Sequence, residues 1–593
     1  MKELLALNVY FKRYSHSMVL GILCVIISNI VGVFVPALVR DGLDEALFQS
    51  RISNSHDSFW LSHPAVLAAL GFGILILLAS ALKGAFMYLM RQFIIVVSRH
   101  VEYDLKNDIY DHYQKLDLSF YRRNFTGDMM ARIGEDVGNV RMYIGPAVMY
   151  FTNIIFTFAV VIYQMFTVNP HMTWYVLLPL PFLSLSIYKV STMINSRTAI
   201  IQTQLSKLTT FAQETFAGIR VIKSFGAEKN FEHSFDHEGK DYRKKNLQLA
   251  FVNSLFFPLM FVLIGLSNLI VLYLGGLEAA KGTFTPGNIA EFVLYLNMLI
   301  WPVASLGWTT ALVQKAAASQ KRINEFLHTE PQAAQKDSPD FELEDSISFE
   351  NVTFSYAKSK VPALEEVNFT LKKGEILGIT GRTGSGKSTL VQLLMRLYDP
   401  QSGEIRVDGK SWRDFNLESF RHKTAYVPQD VFLFSESIAE NIVFGDPDGK
   451  VNDFEIELAA SRAGLVKDIA DFPNGFETLL GERGVTLSGG QKQRLSIARA
   501  LVRDAELYVL DDCLSAVDAA TEMMIIRAFA EALKGKTAII VSHRVAPLAV
   551  TDRILVFNKG RIIESGTRES LIAQGGEFAS IYKKQAMESN PVD

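Results

Sequence analysis

The stretch Gly381-Arg-Thr-Gly-Ser-Gly-Lys-Ser-Thr389 follows the pattern G-x-x-x-x-G-K-[ST] of a phosphate-binding loop, or P-loop. An apolar run, Ile376–Thr380, precedes it and another, Leu390–Leu394, follows it, which predicts a strand, a glycine loop and a helix. Glycines let backbone N–H groups curl around a phosphate, and the start of the helix adds positive potential there. The stretch therefore predicts that the chain binds ATP or GTP from about residue 345 onward.

Composition divides the rest of the chain into two parts. The 593 residues are too many for one domain, and 49% of them are hydrophobic. Long apolar runs occupy roughly the first 320 residues, whereas the last 250 or so have the composition of a soluble protein. The net charge of −3 gives no argument for a nucleic-acid partner.

Six apolar stretches predict an all-α transmembrane domain over residues 1–328. Lys83 lies in the second stretch, where a charged side chain is a candidate for function. We expect instead that it reaches the membrane interface by snorkelling. Cys24 and Cys513 fall in different parts of the chain, so no structural disulfide is expected. No cleavable signal peptide is evident, and the first stretch is interpreted as a membrane helix. The predicted spans are about 17–39, 64–90, 143–167, 172–193, 250–276 and 288–312.

The segments between the spans alternate in charge. Residues 91–141 and 194–249 are long and basic, whereas the loops at about 40–63, 167–171 and 277–286 are short and carry few basic residues. The positive-inside rule places both long loops and both termini in the cytoplasm of a cell with this protein in its inner (cytoplasmic) membrane. Helical periodicity predicts that the long loops extend the membrane helices into the cytosol. Residues 329–344 have the composition of a linker, 345–585 form the predicted nucleotide-binding domain, and 586–593 a tail.

Further motifs accompany the P-loop in a fixed order. An alternating strand ends at Tyr356, and the later motifs are Tyr426-Val-Pro-Gln-Asp430, Leu487-Ser-Gly-Gly-Gln491, Leu507-Tyr-Val-Leu-Asp-Asp512, Ser515-Ala-Val-Asp518 and Val541-Ser-His-Arg544. This order resembles the A-loop, Q-loop, signature, Walker B, D-loop and switch histidine of the ATP-binding cassette family. The resemblance covers essentially the whole chain. Residues 120–136 and 213–226 resemble the coupling regions of its exporter branch.

The resemblance implies a fold for the second half of the chain. It is an α/β P-loop domain with an antiparallel β subdomain and a helical subdomain, and it follows the six-helix transmembrane domain with long cytosolic helical extensions.

The motifs also have individual chemical roles. Tyr356 is expected to stack on the adenine, and Lys387 to reach the β- and γ-phosphates. His543 is expected to hold the γ-phosphate. Oxygen atoms of Ser388, Gln429 and Asp511 are candidate Mg²⁺ ligands. The predicted catalytic residues are Asp512, His543, Gln429 and Lys387, and the predicted nucleotide-binding residues are Tyr356, Gly381, Arg382, Thr383, Gly384, Ser385, Gly386, Lys387, Ser388, Thr389, Leu487, Ser488, Gly489, Gly490 and Gln491.

The signature predicts a dimer. Glycines in Ser488-Gly-Gly490 leave backbone N–H groups free at a helix start, which makes a second anion site. In the family this site faces the ATP of the other nucleotide-binding domain. One chain carries one P-loop and one signature, so two composite sites require two chains.

Asp512 departs from the family pattern. Family members that hydrolyse ATP efficiently usually have Glu at this position, and Asp is one methylene shorter. A base must lie within hydrogen-bond reach of its water, and a shift of roughly 1 Å costs on the order of 10²-fold in rate. Cys513, Leu514 and Val517 also depart from the usual pattern. This resembles the degenerate half of heterodimeric multidrug exporters, and the alternative is a slow homodimer.

The sequence therefore predicts ATP-driven export of hydrophobic or amphipathic small molecules, with Mg²⁺, the lipid bilayer and a second half-transporter as partners. A lipid flippase is the main alternative, and an ATP-gated channel or regulator is a remote one. Aromatic residues in the last two spans would line a drug or lipid cavity, or would face lipid. They are Phe251, Phe256, Phe257, Phe261, Trp301 and Trp308.

Overall fold

The computed structural model describes residues 2–52, 64–330, 338–356, 359, 361–446, 448–481, 484 and 487–589. The side chains of residues 180, 183, 184, 256 and 257 lie outside this description. The chain divides into two compact units. The first contains Met1–Gln114 and Phe125–Thr329, and the second contains Lys115–Asn124 and Glu330–Asp593.

The first unit is helical. A 3₁₀ helix, Lys2–Leu7, opens the chain, and one-turn π-helical segments at Arg132–Asp136 and Tyr143–Ala147 connect three of the later helices. The α-helices are α1 (Asn8–Arg13), α2 (Ser15–Ile52), α3 (Pro64–Lys115), α5 (Thr126–Ala131), α6 (Val137–Met142), α7 (Val148–Val168), α8 (Pro170–Leu177), α9 (Pro179–Ala217), α10 (Ile219–Phe225), α11 (Glu228–Ala280) and α12 (Pro286–Leu327), while α4 (Leu118–Arg123) belongs to the second unit.

Five helical segments among the described residues are long and apolar enough to cross a membrane. They are Ser15–Arg51, Pro64–Lys115, Thr126–Val168, Glu228–Ala280 and Pro286–Leu327. The predicted fourth span, 172–193, falls on α8 and the start of α9, which meet at Leu178. Pro179, at the start of α9, has no N–H to continue a helix ladder, so the apolar stretch is divided there. Six spans therefore stay a prediction.

Two helices continue beyond the predicted boundaries. The loop expected from about residue 40 is helical as far as Ile52 in α2, and residues 53–63 lie outside the description. The tail expected from residue 586 is likewise helical, because the last helix continues to Ser589. In both places the polar residues that end an apolar stretch are compatible with helix, so loss of hydropathy does not end the helix. Of the predicted linker 329–344, the described residues form neither helix nor strand.

A polar cavity of ≈ 410 Å³ lies between helices α2, α3, α7 and α12 of the first unit. Lys83, which we expect to reach the membrane interface, lines this cavity. Its Nζ packs so close to α2 that a Cβ added to Gly32 would lie 3.0 Å away. The other lining residues are Ser28, Asn29, Met87, Met90, Arg91, Met149, Tyr150, Asn153, Thr157, Asn297, Met298, Trp301 and Pro302.

The second unit contains two sheets and a group of helices. Its strands are β1 (Ser346–Phe354), β2 (Leu364–Lys372), β3 (Ile376–Gly381), β4 (Ser402–Val407), β5 (Lys410–Ser411), β6 (Thr424–Val427), β7 (Leu507–Asp511), β8 (Thr537–Val541), β9 (Arg553–Asn558) and β10 (Arg561–Gly566). Its further α-helices are α13 (Lys387–Leu394), α14 (Leu417–His422), α15 (Ile438–Val443), α16 (Asp453–Arg462), α17 (Val466–Ala470), α18 (Gly489–Leu501), α19 (Ala519–Ala532), α20 (Arg568–Gln574) and α21 (Glu577–Ser589). Short 3₁₀ helices are Trp412–Asp414, Gly475–Glu477 and Ala546–Val550.

The larger sheet carries the functional motifs. Its strand order is β10-β9-β3-β8-β7-β6, and all neighbours are parallel except β9 and β10. The smaller sheet, β2-β1-β4-β5, is antiparallel. Strands β7 and β8 are buried along their whole length, as expected for parallel strands covered on both faces. The predicted α/β domain with an antiparallel subdomain is confirmed.

The topology brings the motifs together. In parallel strands the carboxyl ends meet at one edge of the sheet, and ligands bind in the crevice outside it. The P-loop follows β3, Gln429 follows β6, Asp511 ends β7 and His543 follows β8. Four neighbouring strands thus deliver their functional side chains to the same edge.

Candidate nucleotide site

The P-loop is held by glycines where no other residue fits. Gly381 has φ +140°, and a Cβ there would lie 2.1 Å from the Phe557 carbonyl oxygen. Gly386 has φ +103°, and its Cβ would lie 2.4 Å from the Ala363 carbonyl oxygen. Only a residue without Cβ adopts these angles at this closeness. The loop therefore leads directly into α13, where N–H groups at the helix start are available to a phosphate.

Lys387 lies in the centre of the P-loop. Its Nζ donates to the carbonyl oxygens of Gly381 and Arg382, both at 2.9 Å, and its side chain is buried. Burial lowers the pKa of this ammonium to about 8, although the charges of Asp512 and Asp511 act in the opposite direction. Its hydrogen-bond partners are neutral, because the third is the Ser385 hydroxyl at 3.4 Å. A buried cation with neutral partners favours an anion beside it, which a phosphate would supply.

The predicted Mg²⁺ ligands converge. The Ser388 hydroxyl lies 3.1 Å from Asp511 Oδ1 and 3.5 Å from Gln429 Oε1. Asp511 is only 2% exposed, and burial raises its pKa to about 6, with Asp512 adding to the rise and the hydrogen bond from Ser388 opposing it. Three oxygen donors at one point, one of them an acid that burial destabilises, fit a hard divalent cation.

Asp512 has an unusual backbone. Its φ is +47°, in the left-handed region, and its N–H donates to the Val541 carbonyl at 2.9 Å. The carboxylate accepts a hydrogen bond from the His543 N–H at 3.4 Å. His543 is half-buried, and its pKa is lowered by burial and by the charge of Lys387. Asp512 and His543 therefore lie together, and the charge of Asp512 acts on Lys387.

Tyr356 is tied to α13. Its hydroxyl lies 3.0 Å from Thr389 Oγ1 and donates to Gln392 Oε1 at 2.9 Å. Tyr398 meets the Tyr356 ring edge-on. The guanidinium of Arg122 in α4 lies 5.0 Å from the ring centroid, within cation–π distance. Sequence reasoning missed this contact, because Arg122 and Tyr356 are far apart in the chain and no local pattern relates them.

The signature occupies the start of α18. Ser488 and Gln491 form a capping box, with Gln491 N donating to Ser488 Oγ at 3.3 Å and Ser488 N to Gln491 Oε1 at 2.9 Å. A Cβ on Gly490 would lie 2.9 Å from the Ala516 carbonyl oxygen, so the helix start packs directly on the D-loop. Gln493 of α18 also bonds to the D-loop. Its Nε2 donates to Ser515 Oγ and its Oε1 accepts from the Ala516 N–H, each at 2.8 Å.

The motifs therefore fall into two groups. One contains the P-loop, Gln429, Asp511, Asp512 and His543. In the part of the chain that the structure describes, the hydrogen bonds of the signature run instead to Asp468, to Gly484 and to its own helix. Sequence reasoning did not identify Gln493 or Asp468, which position the signature through tertiary contacts.

Comparison with known proteins identifies the family. The model of the ABC transporter transmembrane region matches residues 18–303, and that of the ABC transporter matches residues 364–515. A probable multidrug resistance ABC transporter ATP-binding/permease protein of Bacillus subtilis (strain 168), YheI, is 33% identical over 98% of this chain and 97% of its own length. The multidrug resistance-like ATP-binding protein MdlA of Escherichia coli (strain K12) is 36% identical over 85% of each chain.

Two further similarities concern function and fold. An ATP-dependent lipid A-core flippase of Syntrophus aciditrophicus (strain SB) is 30% identical over 97% of this chain and 92% of its own length. The structure of a bacterial Atm1-family ABC exporter with ATP bound has a TM-score of 0.79 and 23% identity, and covers 99% of this chain and 100% of the other. The chain belongs to the ATP-binding cassette transporter family, among relatives of the multidrug-resistance-like exporter kind. It is a multi-pass membrane protein that binds ATP and couples its hydrolysis to transport.

Proposed function

We propose that this protein is one half of a dimeric exporter for hydrophobic or amphipathic small molecules, and that its own ATP site is the slower of two. The observation that carries the proposal is the separation of the motifs into two groups. The P-loop group holds one ATP, and the signature at the start of α18 completes the site of a second chain. A half-transporter with a Glu after its Walker B aspartate is the partner we expect.

Binding relies on this chain's own residues. Lys387 and the P-loop N–H groups would hold the β- and γ-phosphates, and Tyr356 would stack on the adenine. Ser388, Gln429 and Asp511 would hold Mg²⁺, which when bound supplies positive charge against the phosphate oxygens. The two units would respond to ATP through the long helices that extend from the membrane spans.

The position of Asp512 supports the proposal of slow hydrolysis. Its short carboxylate is held by the His543 N–H, and its left-handed backbone fixes the direction in which the side chain leaves the main chain. A general base must come within about 2.6–3.2 Å of its water. With one methylene less than Glu, Asp512 would position the attacking water less closely to the γ-phosphate. His543 would hold the γ-phosphate and respond to its loss.

The substrate class is supported by the cavity around Lys83. Methionines and Trp301 give it apolar, adaptable walls, and amides give it polar contacts. Asn29 donates to Asn153 Oδ1 at 2.9 Å and accepts from Thr157 at 2.6 Å, so several of these polar groups are already arranged. Among the described residues that line it, Lys83 and Arg91 are the charged ones and none is acidic. The cavity therefore favours neutral or anionic amphiphiles over cations.

A lipid flippase is the second candidate, and the same two cations favour it. A phospholipid or glycolipid has an anionic headgroup that Lys83 and Arg91 would neutralise and an apolar body that the methionines and Trp301 would contact. Of the aromatic residues predicted to line a cavity, Trp301 lines this one and Phe251 lines a different crevice. Phe261 and Trp308 are 72% and 47% exposed, and the side chains of Phe256 and Phe257 lie outside the description.

The proposed orientation of the protein in the membrane is based on the distribution of basic residues. The basic segments 91–141 and 194–249, both termini and the nucleotide-binding domain would be cytoplasmic. In inverted vesicles the nucleotide site would then face the outside solution, where added ATP reaches it.

Transport into inverted vesicles tests the proposal. Vesicles that contain the full transporter should accumulate a fluorescent amphiphile against its gradient after ATP is added, and Lys387→Ala should abolish the accumulation. ATP-dependent movement of a headgroup-labelled phospholipid in the same vesicles would distinguish the lipid flippase from the exporter of small molecules. ATP-dependent equilibration that never exceeds the outside concentration would contradict a pump and favour the channel.

A further inference from the structure

A second concave site lies outside the nucleotide site and the Lys83 cavity. It is a crevice of ≈ 770 Å³ between helices α9 and α11. One end is lined by four basic side chains, Arg197, Lys240, Arg243 and Lys244. The other end is apolar and includes Met193 and Phe251.

The change from charged to apolar follows one face of α11. Lys240, Lys244, Leu247, Phe251 and Leu255 are spaced three or four residues apart and therefore lie on the same side of the helix. The face is cationic up to Lys244 and apolar from Leu247 onward. Leu247 and Phe251 are 64% and 67% exposed, so the described residues leave the apolar part largely uncovered.

The side chains of helix α9 also change from apolar to basic, beside the point where those of α11 do. Val190 and Met193 are followed one turn later by Arg197, whose guanidinium donates to Gln248 Oε1 of α11 at 2.9 Å. This bond aligns the charged end of α9 with the start of the apolar face of α11. The predicted membrane spans end at about residue 193 in α9 and begin at about 250 in α11. With these spans the cations would lie at the level of lipid headgroups and the apolar end at the level of acyl chains.

Most of the positive charge in the crevice is not compensated. Lys240 is paired with Asp236 at 2.5 Å, but the partner of Arg197 is a neutral amide. Arg243 and Lys244 have no ion-pair partner within 4.0 Å among the described residues, and no acid lines the crevice. The neighbouring Lys245 contrasts with them, because Asp241 holds it at 2.6 Å.

We propose that this crevice binds an anionic phospholipid of the cytoplasmic leaflet. The lipid phosphate would lie among Arg197, Arg243 and Lys244, and an acyl chain would cover Met193, Leu247 and Phe251. Basic pockets between helices on the cytoplasmic side recognise anionic headgroups in this way. A second copy of the chain docked through the same face is disfavoured, since it would bring two cationic clusters together.

The experiment uses the full chain purified in a neutral detergent, with bound lipid counted by native mass spectrometry. Phosphatidylglycerol should bind in preference to phosphatidylcholine. The double substitution Arg243→Gln with Lys244→Gln should weaken phosphatidylglycerol binding about 25-fold, at about fivefold for each cation, and should leave phosphatidylcholine unchanged.

The control is Lys207→Gln with Lys229→Gln, which removes the same charge from exposed positions of α9 and α11 that do not line the crevice. It should keep the preference for phosphatidylglycerol. Equal losses in the two double variants would overturn the proposal, because net charge alone would then explain binding. Full competition by glycerol phosphate, which has no acyl chain, would show a site for free anions and would also overturn it. Phe251→Gln, which leaves the cations intact, should weaken phosphatidylglycerol and spare glycerol phosphate.

Discussion

The P-loop and the signature are both glycine-rich helix starts, yet the polar groups at the two starts have different hydrogen-bond partners. In the P-loop, the buried Nζ of Lys387 donates to the loop's own carbonyl oxygens. Asp511, whose pKa is raised by burial, lies beside Ser388. In the signature, a capping box satisfies the helix start, and the glycines lie against Ala516. The first therefore has groups for both an anion and a cation. The second is a single anion-binding surface held in position by its neighbours, which is what one wall of a shared site requires.

Blocking the signature should have the largest effect. Ser488→Arg places a long side chain over the N–H groups at the start of α18 and removes the capping oxygen. Loss of one preorganised donor to a transition-state oxyanion costs on the order of 10²–10³-fold in rate. We expect ATPase activity of the purified dimer to fall about 100-fold or more.

Ser488→Ala is the matched control for that change. It removes the cap, at about 1 kcal/mol of stability, without covering the N–H groups. It should lower thermal stability slightly and retain most activity. If Ser488→Ala were as inactive as Ser488→Arg, the cap itself would be the function of this serine, and the comparison with the P-loop would fail.

Removing the P-loop lysine should have the next largest effect. Lys387→Ala deletes the buried cation that would meet the β- and γ-phosphates. Charged hydrogen bonds are worth about 1.5–3 kcal/mol, so ATP affinity of this chain should fall about 10- to 100-fold. Equilibrium binding of ATP to the purified chain measures it, with Lys373→Ala, at an exposed lysine, as the control. Unchanged affinity would refute the site.

Removing the Tyr356 ring should have a smaller effect on ATP affinity. Tyr356→Ala removes the surface on which adenine would stack, and aromatic pairs contribute about 0.5–1.5 kcal/mol beyond burial. ATP affinity should fall about 3- to 10-fold. Tyr356→Phe keeps the ring and loses only the bonds to Thr389 and Gln392, so it should stay within threefold of the natural protein. The same binding assay with GTP should show whether the base is recognised by stacking alone.

The motifs could be read from the sequence because each is a run of adjacent residues that folds locally. The tertiary contacts around them could not. Arg122 lies over Tyr356, and Gln493 bonds to Ala516, only because distant segments meet in the second unit. Hydropathy predicts apolar stretches but not helix ends, since α2 continues through charged residues to Ile52. The fold class followed from the motif order, which the parallel strands of the larger sheet explain.

Replacing Asp512 by the longer acid Glu tests whether side-chain length limits hydrolysis at this site. Asp512→Glu should add less than tenfold to hydrolysis at this site, measured with the catalytic Glu of the partner replaced by Gln. The left-handed backbone at this position limits the gain, because Glu adopts φ near +47° less readily than Asp. Turnover equal to that of the natural dimer would mean that one methylene was the whole defect, and would favour the homodimer.

The most direct test is the ranking of Ser488→Arg and Asp512→Asn in the same purified dimer. Asn tolerates the left-handed backbone, so Asp512→Asn removes the negative charge with little strain. If this chain holds a slow site and completes a fast one, steady-state ATPase activity should change less than about twofold in Asp512→Asn and fall about 100-fold in Ser488→Arg. A collapse of activity in Asp512→Asn with Ser488→Arg nearly unaffected would contradict the account.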